Sequence, residues 1–162
     1  MTDESEVGER VVVRRVIGAA RERVFRNWTE PEQLRRWWGP GAFTCPDAQV
    51  DMRTGGTYRL VMQAPGGGPL MSVAGTYHTV DPPALLVYTW RWDTGPAASD
   101  HESLVTVEFN DLGDRRTEVV VTHERFPADH DASPYRSGWD EGLEKLEAIT
   151  TSGEVSALTL EH

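Results

Sequence analysis

One change of rhythm constrains this chain more than any other feature. Between residues 43 and 123, apolar side chains recur every second position. From Ser133 onward they recur every three to four. The first period belongs to half-buried strands and the second to an amphipathic helix. The alternation is carried by Tyr58, Leu60 and Met62, by Leu86, Tyr88, Trp90 and Trp92, by Val105, Val107 and Phe109, and by Val119, Val121 and His123. The helical stripe is Tyr135, Trp139, Leu143, Leu146 and Ile149, on a helix expected from Ser133 to Thr150, with Ser133 as its cap and Pro134 in its first turn.

Turn-forming residues divide the period-two region into strands of roughly 43–53, 57–63, 70–80, 85–92, 102–110 and 117–123. The dividers are Thr54-Gly55-Gly56, Pro65-Gly66-Gly67-Gly68-Pro69, Asp81-Pro82-Pro83, a loop over 93–100, and Asp111-Leu112-Gly113-Asp114. Before them, the β-branched run Val11 to Ile17 predicts one more strand. Two short helices follow. The first holds Val24, Phe25 and Trp28. The second is capped by Thr29 and Glu32 in a capping box, carries Leu34, Trp37 and Trp38, and ends at Gly39-Pro40-Gly41. Without βαβ alternation, and with short links between strands, the sheet must be antiparallel. The fold class is therefore α+β: about seven curved antiparallel strands around a long C-terminal helix. That helix is the one element long enough to cover a concave face.

Composition narrows the functional classes. At 162 residues the chain suits one domain, placed at 8–152, with tails at 1–7 and 153–162; Leu160-Glu161-His162 reads as tag residues. A net charge of −10 argues against nucleic acid or an anionic membrane as partner. No apolar stretch reaches membrane-spanning length, Cys45 is the single cysteine, and no secretory signal opens the chain. A cytoplasmic protein, monomeric or weakly dimeric, is the expectation. The single lysine, Lys145, set against 15 arginines, suggests compositional bias and no mechanism.

Several strings in order carry a family resemblance. They are Ala20 to Phe25 leading into Thr29-Glu30-Pro31-Glu32-Gln33-Leu34, then Trp37-Trp38-Gly39-Pro40, Asp51 to Gly56, Gly75-Thr76-Tyr77, Pro82-Pro83 and Ser137-Gly138-Trp139. Over residues 8–152 the chain resembles the START-like, or Bet v 1-like, superfamily. Within it, it is similar to bacterial proteins related to the C-terminal domain of the Hsp90 ATPase activator Aha1. The resemblance implies a helix-grip fold with a cavity between sheet and helix, and no single reaction.

No P-loop, dinucleotide fingerprint, nucleophile elbow or metal-ligand spacing appears, so neither a cofactor nor a metal is expected. The expected cavity lining is Trp38, Tyr58, Leu60, Met62, Met71, Trp90, Trp92, Val121, His123, Tyr135 and Trp139, around a hydrophobic or aromatic small molecule. His123 reads either as a polar anchor or general base for that molecule, or as a core histidine bonded to a backbone carbonyl. Register leaves open which of Tyr77 and His78 points inward. Asp51 and Arg53 suggest a salt bridge bracing the turn at Gly55-Gly56. Two alternatives remain: an enzyme such as a polyketide cyclase or hydrolase, with His123 or His78 near a tyrosine, and a chaperone-binding module in stress response, with a filled core and a surface patch.

Overall fold

The computed structural model describes residues 10–96, 98–126 and 132–160. His130, the tail at 1–7 and the last two residues of the expected tail at 153–162 lie outside them. The order is β1 (Val11–Ile17), α1 (Arg21–Thr29), α2 (Pro31–Trp37), β2 (Thr44–Val50), β3 (Thr57–Gln63), β4 (Leu70–Asp81), β5 (Leu85–Thr94), β6 (Ser103–Gly113), β7 (Arg116–Glu124) and α3 (Ser133–Leu160). Strands β2 to β7 form a continuous meander, and β1 adds beside β7, giving the order β1-β7-β6-β5-β4-β3-β2. Every pairing is antiparallel. This is the seven-stranded helix-grip architecture that the two periods imply.

The sheet bends where its ladder is interrupted. Between β4 and β5 the register shifts twice, near Ser72 and near Tyr77. Between those shifts lies Gly75, where a Cβ would sit 2.0 Å from the Thr89 carbonyl oxygen; only glycine lets the strands approach that closely. Side chains replace the missing ladder bonds. The Tyr58 hydroxyl donates to the Thr89 carbonyl at 2.6 Å, and the Thr89 hydroxyl accepts from the Thr76 N–H at 2.9 Å.

Helix α3 lies across the concave face. Trp139, Leu143 and Leu146 are buried, and Tyr135 and Ile149 are half-buried against the same core. Each buried leucine contributes about 1.5–3 kcal/mol relative to exposure. Polar contacts hold the helix in place. Glu147 meets Arg15 of β1 at 2.6 Å, and Thr150 accepts from Asn27 of α1 at 2.8 Å.

Two expected caps differ from what forms. Thr29 does not cap α2. It is the last residue of α1, its hydroxyl donates to the Phe25 carbonyl, and Glu30 stands at the cap with Pro31 next. Adjoining helices leave Thr29 no β-region backbone from which to cap. Likewise Ala132, not Ser133, precedes α3, since its carbonyl takes the first helical bonds from the Tyr135 and Arg136 N–H groups. The helix also continues past Thr150 to Leu160. A single Gly153 costs only about 1 kcal/mol in a helix interior.

Candidate functional site

The inward faces of β3, β4 and β5, the turn after α2 and the first turns of α3 line a cavity of about 360 Å3 that is open to solvent on one side. The sheet contributes Met62, Met71, Trp90 and Trp92. The end of α2 and the following turn contribute Trp37, Trp38, Gly39, Pro40 and Phe43. Helix α3 contributes Pro134, Tyr135, Gly138, Trp139 and Gly142. None of these residues is charged at neutral pH.

The space exists because of what α3 lacks. Gly138 and Gly142, one turn apart, present no side chain to it. A Cβ at either would meet only ordinary contacts, 3.9 Å from Pro40 and 3.8 Å from Trp37. Around the void the aromatic rings brace one another. Trp139 has ring centroids 5.7 Å from Trp38, 5.5 Å from Trp90 and 6.0 Å from Trp28. The Trp92 N–H donates to the Tyr135 hydroxyl at 2.7 Å, joining β5 to the helix across the cavity. Burial raises the Tyr135 pKa, and the indole N–H groups nearby offset part of that rise.

His123 is fully buried behind this wall rather than on it. Its Nδ1 accepts from the Trp139 indole N–H at 3.0 Å, and its Nε2 lies 2.7 Å from the Ser103 hydroxyl. An indole can only donate, so Nδ1 must accept and the ring proton belongs on Nε2. The Ser103 hydroxyl then accepts from Nε2 and donates to the Trp90 carbonyl at 3.3 Å. Serine and histidine stand at the spacing of a nucleophile–base pair, but with the polarity reversed. Nε2 carries a proton and cannot take one from Ser103, so this pair cannot work as a hydrolytic dyad.

The family model described as "Activator of Hsp90 ATPase homolog 1-like protein" matches residues 18–151. The chain belongs to this family. Solved structures of similar proteins include one from Chromobacterium violaceum, 26% identical, covering 87% of this chain and 96% of its own, at a TM-score of 0.76. The AHSA1 protein of Silicibacter pomeroyi is 26% identical over 95% of this chain and 100% of its own, at 0.75. A protein from Rhizobium leguminosarum is 28% identical over 89% of this chain and 95% of its own, at 0.74. No protein of curated function matches.

Of the eleven residues expected on the cavity wall, Trp38, Met62, Met71, Trp90, Trp92, Tyr135 and Trp139 stand there. Tyr58, Leu60, Val121 and His123 do not. These four are in the correct phase and buried, but they lie where the concave face is filled. Tyr58 packs against Tyr77 and Tyr88, with centroids 5.2–5.4 Å away. Tyr77 is the inward residue and His78 the exposed one. Arg53 grips Asp51 at 2.9 Å beside Gly55 and Gly56, as a turn brace and away from the cavity. Among the described residues no cluster of His, Cys, Asp and Glu could hold a metal, and no helix is long and apolar enough to cross a membrane.

Sequence reasoning missed Lys145 in this family member. Its ammonium donates to the carbonyls of Gly39, Gly41 and Phe43 at 2.6, 3.0 and 3.0 Å, tying the cavity's rim to α3. The partners are backbone atoms more than 100 positions away, which no local pattern encodes. The glycine pair was missed too. Its spacing of four on an otherwise apolar helical face was the available signal.

Proposed function

We propose that this family member binds an uncharged hydrophobic or aromatic small molecule in the cavity between the sheet and α3. The observation that carries the reading is the void itself: a space of about 360 Å3 walled by aromatic rings and thioethers, opposite two glycines. Its size falls at the low end of pockets that hold drug-sized molecules, which suits a ligand of two or three rings. Burying ~300 Å2 of ligand apolar surface at ~25 cal/mol per Å2 gives roughly 7–8 kcal/mol before association costs. After those costs, micromolar to millimolar affinity is expected.

The enzyme reading is weaker because the Ser103–His123 pair has reversed polarity and the wall offers no acid–base pair. The chaperone-module reading called for a filled core and a conspicuous surface patch. The cavity argues against the first. The exposed large hydrophobics among the described residues, Val16, Leu70 and Leu112, stand on three different strands.

A fluorescence titration with small polycyclic aromatics tests the proposal. Saturable quenching of tryptophan emission, unchanged by a metal chelator, is expected. Gly142→Leu should abolish it by filling the space while leaving the melting transition cooperative. The absence of any saturable change across fatty acids, flavonoids and polycyclics would reject ligand binding.

A further inference from the structure

The two glycines that open the cavity also remove what would hold its wall. Trp37, Trp38, Gly39, Pro40 and Phe43 all line the space, so the segment 37–43 forms one side of it and α3 another. Opposite this segment Gly138 and Gly142 present backbone only. A Cβ at the first would stand 3.9 Å from Pro40, and at the second 3.8 Å from Trp37. Trp37 itself is anchored, since its indole N–H donates to the Asn27 carbonyl at 2.9 Å. Past Trp38 the chain leaves α2, turns through Gly39 and Gly41 at positive φ, and exposes its tip at Gly41 and Ala42. A turn that faces helix backbone instead of side chains, with an exposed tip, opens locally at low cost.

One side chain replaces the missing packing. Lys145, the chain's only lysine, stands on α3 about one turn beyond Gly142 and does not line the cavity. Its ammonium meets three carbonyls that converge from the turn, those of Gly39, Gly41 and Phe43, at 2.6, 3.0 and 3.0 Å. Three bonds match the three donors of an ammonium, and each is charge-assisted. Glu141, one helical turn earlier on α3, reaches the same turn: a Cβ on Gly41 would be 3.2 Å from its carboxylate oxygen.

We infer, building on the ligand-binding reading, that Lys145 is the positioning residue of the site: its ammonium holds the 39–43 turn ready as a wall, so that a neutral polycyclic ligand meets a finished surface instead of having to order one. Ordering a loose turn on binding costs free energy that a rigid site does not lose, and the cost shows mainly as faster dissociation. Lys145 brings no charge to the wall; it acts through Gly39, Pro40 and Phe43.

The test compares the full unmodified chain with Lys145→Met, which keeps the length of the side chain without its ammonium, and with Lys145→Cys before and after aminoethylation. In that step the introduced thiolate displaces bromide from 2-bromoethylamine, forming a C–S bond and restoring an ammonium at the original reach. Cys45 is spared at mildly alkaline pH, because it is buried and its thiol is pushed up to about 11. By tryptophan fluorescence, Lys145→Met should bind phenanthrene roughly tenfold more weakly, the equivalent of one charge-assisted hydrogen bond, with most of the change in the dissociation rate. Without ligand, the Phe43 amide, which donates to the Pro40 carbonyl, should exchange with solvent about tenfold faster, while the amides of β6 and β7 do not change. Aminoethylation of Lys145→Cys should restore both readings. That comparison lies within one variant, so the test survives a Lys145→Met chain that fails to fold.

Unchanged affinity in Lys145→Met, or a turn whose exchange does not quicken, overturns the inference and leaves ligand binding standing. So does acceleration spread equally through β6 and β7, which would make the lysine a support of the whole fold and not of the wall. Aminoethylation that restores neither reading overturns it as well, by showing that the ammonium is not the operative group. Failure of the unmodified chain to bind phenanthrene or any other polycycle would instead reject the ligand-binding reading, on which the inference rests.

Discussion

The concave face of the sheet has two regions built from the same kinds of residue, yet one is solid and the other hollow. In the solid region Tyr58, Tyr77 and Tyr88 interlock at 5.2–5.7 Å, and Phe25 and Trp28 of α1 close on Phe109 at 5.1 and 5.7 Å. In the hollow region Trp38, Trp90, Trp92 and Tyr135 are equally aromatic and equally in phase, but they surround about 360 Å3 of space. The sheet does not make the difference; the helix does. Leu143 and Leu146 are fully buried in the core, whereas Gly138 and Gly142 put nothing into the cavity. Two missing side chains on one helix face convert a core into a site.

The comparison breaks most severely at Trp139, whose ring touches both regions. Trp139→Ala should cost about 3–5 kcal/mol in denaturant melts. It also strips His123 of its donor. A loss below about 1 kcal/mol would mean that the two regions do not share this side chain as a keystone.

A matched pair sharpens the contrast next. Leu146→Ala, in the solid region, should cost about 2–5 kcal/mol. Met71→Ala, on the hollow wall, should cost under about 1.5 kcal/mol, because its side chain already faces empty space and has fewer contacts to lose. Equal costs, measured by urea unfolding of both variants, would show that the cavity wall is packed as tightly as the core.

Titration separates the regions by a different property. Burial pushes Tyr58, Tyr77 and Tyr88 well above the ordinary tyrosine range, while Tyr135 is raised but less buried. Burial also pushes the Cys45 thiol from 9.0 to about 11. These are acids whose protons are kept in the folded state and released by the unfolded chain. The folded state therefore binds more protons, and stability falls as pH rises above about 9, where the unfolded thiol and then the phenols ionise. In a tyrosinate absorbance titration, Tyr135 should ionise first, and the other three only together with loss of circular dichroism. Early, reversible ionisation of more than one tyrosine would show the solid region to be open to water.

The smallest effect concerns the glycines. Gly138→Ala and Gly142→Ala each add a methyl that meets only ordinary contacts, so helix propensity should raise stability by about 0.5–1 kcal/mol. Ligand affinity should fall as the space shrinks. Thermal melts and a probe titration on the same variants check both; a gain in stability with unchanged binding would show that the glycines do not shape the site.

The order of elements and nearly every inward-facing residue are legible in the local pattern of the chain. Periods of 2 and 3.6 are properties of local backbone geometry, and Tyr58, Leu60, Val121, His123 and Trp139 are all buried as their phase requires. Phase says which face a side chain takes, but not what stands opposite it. That is why Tyr58, Leu60, Val121 and His123 could be read as cavity residues when the filled region holds them. It is also why His123 could be read as an anchor when Trp139 and Ser103 already occupy its nitrogens. Where the void lies, and that Lys145 fastens its rim, came from the folded arrangement alone. Those facts depend on how far apart an element holds its neighbours, and that distance is set by side chains more than 40 positions away, beyond the reach of any local pattern.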